Sequence, residues 1–272
     1  MSPTRDALVA AGGRGGAALI GYLPTGFPTV EGSITALEAL VDAGVDVIEV
    51  GLPYSDPVMD GPTIQRATEH ALAAGVRSRD TLRVVEAVAA TGVPVLVMSY
   101  WNPIERYGVP SFARDLAAAG GAGLITPDLV PEEAGEWLAA SDQHELDRVF
   151  LVAPSSTGAR VASTADACRG FVYATAVMGV TGAREATSTL APELVDRVRR
   201  TTDLPVGVGL GVRDREQAAA VAGYADAVIV GSAFVSRLLD AADPAAGVRA
   251  VRALAGELAE GVRHPAAAGA RS

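Results

Sequence analysis

The feature that most constrains this chain is a rhythm: short apolar, β-branched runs alternate with alanine-rich stretches of helical period, and the alternation repeats eight times. A parallel strand covered on both faces reads as a continuous apolar run, and the crossover that returns the chain to the next strand reads as an amphipathic helix. The runs predict strands at 18–23, 46–51, 95–100, 123–126, 149–153, 171–175, 206–209 and 227–230. Helical patterns lie at 34–43, 63–74, 81–90, 112–118, 131–140, 161–168, 191–201 and 216–222, and two more follow the last strand at 232–239 and 245–258. Pro94 and Pro205 each stand just before a strand, where proline stops the preceding helix and is tolerated at a strand's start. Eight evenly spaced units predict an α/β fold closed as a single (β/α)8 TIM barrel with extra helices. An open doubly wound sheet is the competitor, but it uses fewer strands. In a barrel, chemistry collects at the C-terminal ends of the strands, so polar and glycine-rich residues there carry most meaning.

Size agrees with one unit. A chain of 272 residues, 49% hydrophobic, buries roughly three-quarters of its unfolded surface and needs no disulfide or metal staple. The expectation is one domain over 1–272, with a core of about 16–260 and a frayed tail at 265–272. The formal charge is −10 and the basic residues are scattered, which argues against nucleic acid as a partner. Neither a run of about 20 apolar residues nor a charged start followed by an apolar stretch is found, so no membrane span and no signal peptide are expected, and the location is cytoplasmic. Cys168 stands alone and reads as a small buried apolar residue.

Glu49 is the one carboxylate inside the apolar strand Val47-Ile-Glu-Val-Gly51. Burial raises an unpaired acid's pKa, which suits a general acid–base group at neutral pH; a structural carboxylate held by a neighbouring loop is the other reading. The following loop, from Leu52 to Pro62, adds Asp56 and Asp60 at the same barrel face. Asp60 alone reads as a cap for the helix starting near Thr63, and the nearness of Glu49 raises a catalytic role beside it.

Glycine forms the second constellation. Gly207-Val-Gly-Leu-Gly211 closes the seventh strand, and Val230-Gly-Ser-Ala-Phe234 closes the eighth and opens a helix. Such turns present backbone amides, and a helix N-terminus favours an anion, so together they describe a phosphate site, with tight-turn packing as the bland alternative. A third stretch, Met178-Gly-Val-Thr-Gly-Ala-Arg184, reads as a loop able to close over substrate or as ordinary surface. All 22 basic residues are arginine, so a lysine Schiff base is impossible, and His70, His144 and His264 are too dispersed to suggest a metal. What remains is carboxylate acid–base chemistry on a phosphorylated substrate.

The segment Glu49-Val-Gly-Leu-Pro-Tyr-Ser-Asp-Pro-Val-Met-Asp-Gly-Pro-Thr-Ile-Gln65 closely resembles the signature of the tryptophan synthase alpha chain family. Tyr100-Trp-Asn-Pro103, Pro127-Asp-Leu129, Ala153-Pro-Ser-Ser156, Gly179-Val-Thr-Gly-Ala-Arg184, residues 207–211 and Gly231-Ser232 are similar to that family too, over about 16–258. The resemblance implies a lyase that splits indole-3-glycerol phosphate into indole and glyceraldehyde 3-phosphate, without a cofactor of its own, in complex with a pyridoxal-phosphate-dependent beta chain (an alpha2-beta2 assembly). It further implies that Glu49 transfers the protons, that Asp60 stabilises charge on the indole nitrogen, and that Thr181 of the closing loop contacts Asp60. By the same resemblance Gly182, Gly211, Gly231 and Ser232 hold the phosphate; Tyr22, Tyr100, Leu129 and Tyr173 flank indole or glycerol; and Asp56 meets the beta chain. Phe27, Val130, Ala176 and Leu210 depart from the family's usual residues. Two alternatives remain: a free-standing indole-3-glycerol phosphate lyase and a non-catalytic phosphate-binding barrel.

Overall fold

The structure, a computed structural model, describes residues 1–175 and 187–266. In chain order its elements are α1 (Pro3–Gly13), β1 (Ala18–Pro24), α2 (Val30–Asp42), β2 (Val47–Gly51), α3 (Pro62–Ala73), α4 (Ser78–Ala89), β3 (Val95–Met98), α5 (Trp101–Tyr107), α6 (Val109–Ala118) and β4 (Gly123–Thr126). There follow a 3-10 turn (Pro131–Glu133), α7 (Gly135–Gln143), β5 (Asp147–Val152), α8 (Gly158–Ala167), β6 (Val172–Thr175), α9 (Thr187–Arg199), β7 (Val206–Gly209), α10 (Arg215–Ala222), β8 (Ala227–Val230), α11 (Ser232–Leu239) and α12 (Pro244–Arg263). The eight strands form a closed parallel barrel in sequence order, sealed where β8 pairs with β1 through Ala18 opposite Ala227 and Ile20 opposite Ile229.

The apolar runs make this barrel because their two faces are both buried, in different places. Every second residue points inward, and Ala18, Ile20, Val47, Leu96, Ile125, Val149, Phe171, Ala227 and Ile229 fill the interior. The residues between them, such as Leu19, Ile48, Val50, Val97, Leu124, Val172, Val208 and Val228, pack against the surrounding helices. No described helix is long and apolar enough to cross a membrane.

All eight expected strands are present, three with the expected bounds and the others with ends shifted by at most two residues. β3 stops at Met98 rather than at Tyr100, because Tyr100 is the residue that caps α5. The helix expected at 131–140 is instead the 3-10 turn followed by α7. Two helices were not expected. In α5 the pair Asn102-Pro103 reads as a turn, yet both sit in the first helical turn, where proline's missing N–H costs nothing. In α1 the buried Thr4, Leu8 and Ala11 keep helical spacing, but Leu8 is the one strongly apolar residue of the three, so the stripe is faint in the sequence; Leu8 and Ala11 join the interior column and close the barrel's N-terminal end. Its start was written locally, with Ser2 as N-cap accepting from the Arg5 N–H and Pro3 in the first turn. Residues 267–272, most of the expected frayed tail, lie outside the described residues.

Candidate active site

β2 carries Glu49 inward, in register with Tyr22 of β1 and Leu96 of β3, and the side chain is 1% exposed. Its Oε1 finds no hydrogen-bond partner among the described residues. Burial alone pushes the carboxyl up to about 8, so it is protonated at neutral pH. Tyr22 and Tyr173 lie within its field, and both phenols are held well above their ordinary value, first by burial and then by nearby acids. Tyr22 also feels Asp60, so one ring lies within electrostatic reach of both carboxylates.

Glycines at the strand ends make room for these rings. A Cβ on Gly51 would collide with the Tyr22 hydroxyl, and one on Gly231 would sit 3.0 Å from the Tyr22 ring. A Cβ on Gly209 would lie 2.6 Å from the Tyr173 hydroxyl, and one on Gly207 would lie 2.9 Å from the Phe171 ring. The two strand glycines of 207–211 therefore serve packing. Gly211 differs: its φ is +68°, a left-handed conformation that favours glycine, and the space beside it is open. Gly231 is the N-cap residue of α11 and Ser232 its first residue, so the first-turn amides of that helix face the same barrel end.

Asp60 does not cap α3. Gly61 is the N-cap, with no side-chain hydrogen bond, and the Asp60 carboxylate instead accepts from the Tyr100 hydroxyl at 3.2 Å. Its pKa is raised by burial and drawn back by that hydrogen bond. The Gln65 amide fixes the Asp60 carbonyl at 2.8 Å, and the Met59 N–H donates to the Tyr100 oxygen at 2.9 Å. A cavity of about 190 Å³ opens here, lined by Met59, Asp60, Met98, Pro127, Leu151, Tyr173, Thr175 and Gly209. Asp56 lies further out, exposed, with the Ser55 hydroxyl donating to it at 2.5 Å. Beside it Val58 is 78% exposed and Met59 52%, an apolar pair on a surface loop. Leu129 is buried in the core between strands and helices, two residues beyond Pro127 of the cavity wall.

The structure thus gathers Tyr22, Glu49, Asp60, Tyr100 and Tyr173 at one mouth, with Gly211, Gly231 and Ser232 at the ends of the neighbouring strands β7 and β8. Thr181, Gly182 and Ala176 lie outside the described residues. Sequence reasoning missed Met98, Leu151 and Thr175 as cavity walls, although their inward parity at the strand ends was a signal for them. It also missed Asp128, whose carboxylate accepts from the Trp101 N–H at 2.9 and 3.2 Å. Cys168 is buried as expected, and burial pushes its thiol up to about 12.

A profile of the family described as "Tryptophan synthase alpha chain" matches residues 9–263. The chain belongs to the tryptophan synthase alpha chain family. The tryptophan synthase alpha chain of Salinispora arenicola is 68% identical over 252 residues, covering 93% of this chain and 94% of that one. That of Mycobacterium avium is 67% identical over 252 residues, 93% of this chain and 91% of the relative. Among solved structures, the tryptophan synthase of Mycobacterium tuberculosis superimposes with a TM-score of 0.89 at 61% identity, covering 96% of this chain and 98% of that chain. As a member of the tryptophan synthase alpha chain family it is a lyase of tryptophan biosynthesis that cleaves indole-3-glycerol phosphate.

Proposed function

We propose that Glu49 and Asp60 perform this cleavage as an acid–base pair. The observation that carries the reading is Glu49: buried, without a partner at Oε1 among the described residues, protonated at neutral pH, and within electrostatic reach of Tyr173, which with Asp60 lines the cavity of about 190 Å³. Glu49 gives its proton to indole C3, and the positive charge that develops at the indole nitrogen is balanced by Asp60. The Glu49 carboxylate then takes the proton of the glycerol hydroxyl next to the ring. The carbon–carbon bond breaks, its electrons return to the indole ring, and the hydroxyl carbon becomes the aldehyde of glyceraldehyde 3-phosphate. Glu49 ends protonated, ready for the next cycle.

In this reading Gly211, Gly231, Ser232 and Gly182 hold the phosphate, supported by the left-handed turn at Gly211 and the start of α11. Tyr22, Tyr100, Leu129 and Tyr173 flank indole or glycerol, and Thr181 meets Asp60 when its loop closes. The chemistry asks for no cofactor in this chain, and as an enzyme of amino-acid biosynthesis it works in the cytoplasm. Indole passes to a pyridoxal-phosphate-dependent beta chain in an alpha2-beta2 assembly. The exposed Asp56, Val58 and Met59 support a partner surface at this edge.

The test is to mix the purified protein with indole-3-glycerol phosphate and measure indole with and without a beta chain. Slow release that the beta chain strongly accelerates is expected. Fast release unaffected by the beta chain would favour a free-standing lyase, and no release in either case would overturn the reading.

A further inference from the structure

We infer that Asp128 is a positioning residue for Asp60, acting through the start of α5 and the Tyr100 hydroxyl. The inference rests on the role proposed for Asp60. Asp128 lies in the loop after β4, one residue beyond Pro127 of the cavity wall, and its two oxygens sit 2.9 and 3.2 Å from the Trp101 N–H. That N–H belongs to the first helical residue of α5, and its own N-cap, Tyr100, supplies no side-chain cap. A first-turn amide has no partner within the helix, so a carboxylate on it fixes where the helix begins and also meets the positive end of its dipole.

The residue held at that beginning is Tyr100. Its hydroxyl donates to the Asp60 carboxylate at 3.2 Å and accepts from the Met59 N–H at 2.9 Å, so one phenol sets both the side chain and the approaching backbone of the acid. Among the described residues the other hydrogen bond to Asp60 is from the Gln65 amide to its carbonyl, which fixes the backbone and leaves the aim of the carboxylate to Tyr100. The chain of contact therefore runs from the loop after β4 through the N-terminus of α5 to the loop after β2. Aiming of Asp60 is shared between strands β2, β3 and β4 rather than set by its own loop.

An acid that balances charge only as the bond breaks affects kcat more than KM, so its positioning residues carry the same signature. Asp128→Ala is expected to lower kcat by about tenfold, the size of one lost helix cap, with KM and the affinity for glycerol 3-phosphate within about twofold of wild type. Asp128→Asn keeps an oxygen acceptor for the Trp101 N–H and is expected to retain most of the activity. Because the effect passes through Tyr100, Asp128→Ala added to Tyr100→Phe should cost less than about twofold more, whereas independent sites would multiply. An activity-free readout is hydrogen exchange of the Met59 amide, which should accelerate in Asp128→Ala and Tyr100→Phe but not in Asp128→Asn. Unchanged kcat and unchanged Met59 exchange in Asp128→Ala would overturn the inference, as would full multiplication of the two effects. If Asp128→Ala does not fold, an Asp128→Ser variant, able to cap with its hydroxyl, measured beside Asp128→Asn decides: activity and Met59 protection lost in both would overturn it. A wild-type protein that releases no indole, yet shows the expected Met59 exchange pattern, would instead sink the proposed function and leave the structural link standing.

Discussion

At the N-terminal end of the barrel Asp147 is fully buried; the Ser2 hydroxyl at 3.0 Å and the Thr4 N–H at 3.3 Å donate to its Oδ2, and its Oδ1, without a hydrogen bond among the described residues, lies 3.7 Å from the Arg169 guanidinium. At the opposite end Glu49 is as deeply buried, and nothing among the described residues donates to its Oε1. Burial raises both carboxyls, but at Asp147 the donors pull the other way, whereas at Glu49 nothing opposes it. The first arrangement ties the start of α1 to β5 and so closes the barrel floor with Leu8 and Ala11. The second leaves an acid whose protonation state is open to change. Burial by itself does not distinguish the two acids; what singles out Glu49 as the proposed acid is burial that neither a donor nor a cation offsets, at the strand ends where a barrel carries its chemistry.

The comparison breaks most sharply at Glu49. Glu49→Gln keeps shape and hydrogen bonding but cannot exchange a proton, so indole release should fall at least 10²–10⁴-fold while glycerol 3-phosphate still binds. A variant holding over half the wild-type rate would remove Glu49 from the mechanism. The same substitution should stabilise the fold. An acid whose pKa is about 8 when folded and near 4.5 when unfolded loses stability as pH rises between those values. The melting temperature of Glu49→Gln should therefore exceed wild type by a margin that grows from about pH 4.5 and levels off near 8. In wild type, kcat/KM should decline above about 8, as the protonated acid is lost.

The floor should respond in the opposite currency. Leu8→Ala empties a fully buried site and should cost about 3 kcal/mol in urea unfolding, with kcat unchanged in the folded fraction. Asp147→Ala leaves the Thr4 N–H and Arg169 without their partner and should cost about 2 kcal/mol, again without a change in kcat. A fall in kcat with stability intact, in either variant, would mean that floor and mouth are coupled and that the contrast drawn between them is wrong.

The smallest expected effect sharpens the reading of the glycines. Gly211→Val introduces a side chain at a φ of +68° into open space and should weaken glycerol 3-phosphate by about tenfold, roughly 1.4 kcal/mol, while sparing indole. Equal loss for both ligands would indicate general disturbance of the mouth rather than a phosphate site.

Much of this was legible in the chain. The eight apolar runs carry their own period and length, so strand existence and order follow from local pattern, and the isolated Glu49 stands out because a charge inside such a run is costly. Parity along each run even sorts the interior residues from those facing the helices, since side chains alternate by geometry. The structure decided what depends on residues far apart in sequence. Asp60 reads as a helix cap until Tyr100, forty residues on, is seen to take its carboxylate. Gly207 and Gly209 read like Gly211 until the rings of Phe171 and Tyr173 fill the space beside them. Asp128 and Asp147 are ordinary acids in sequence, and their partners, Trp101 in one case and Ser2 and Thr4 in the other, become neighbours only when the barrel closes. Periodicity records which face of an element is buried, but not what it is buried against; that depends on packing between elements, which no local stretch of the chain contains.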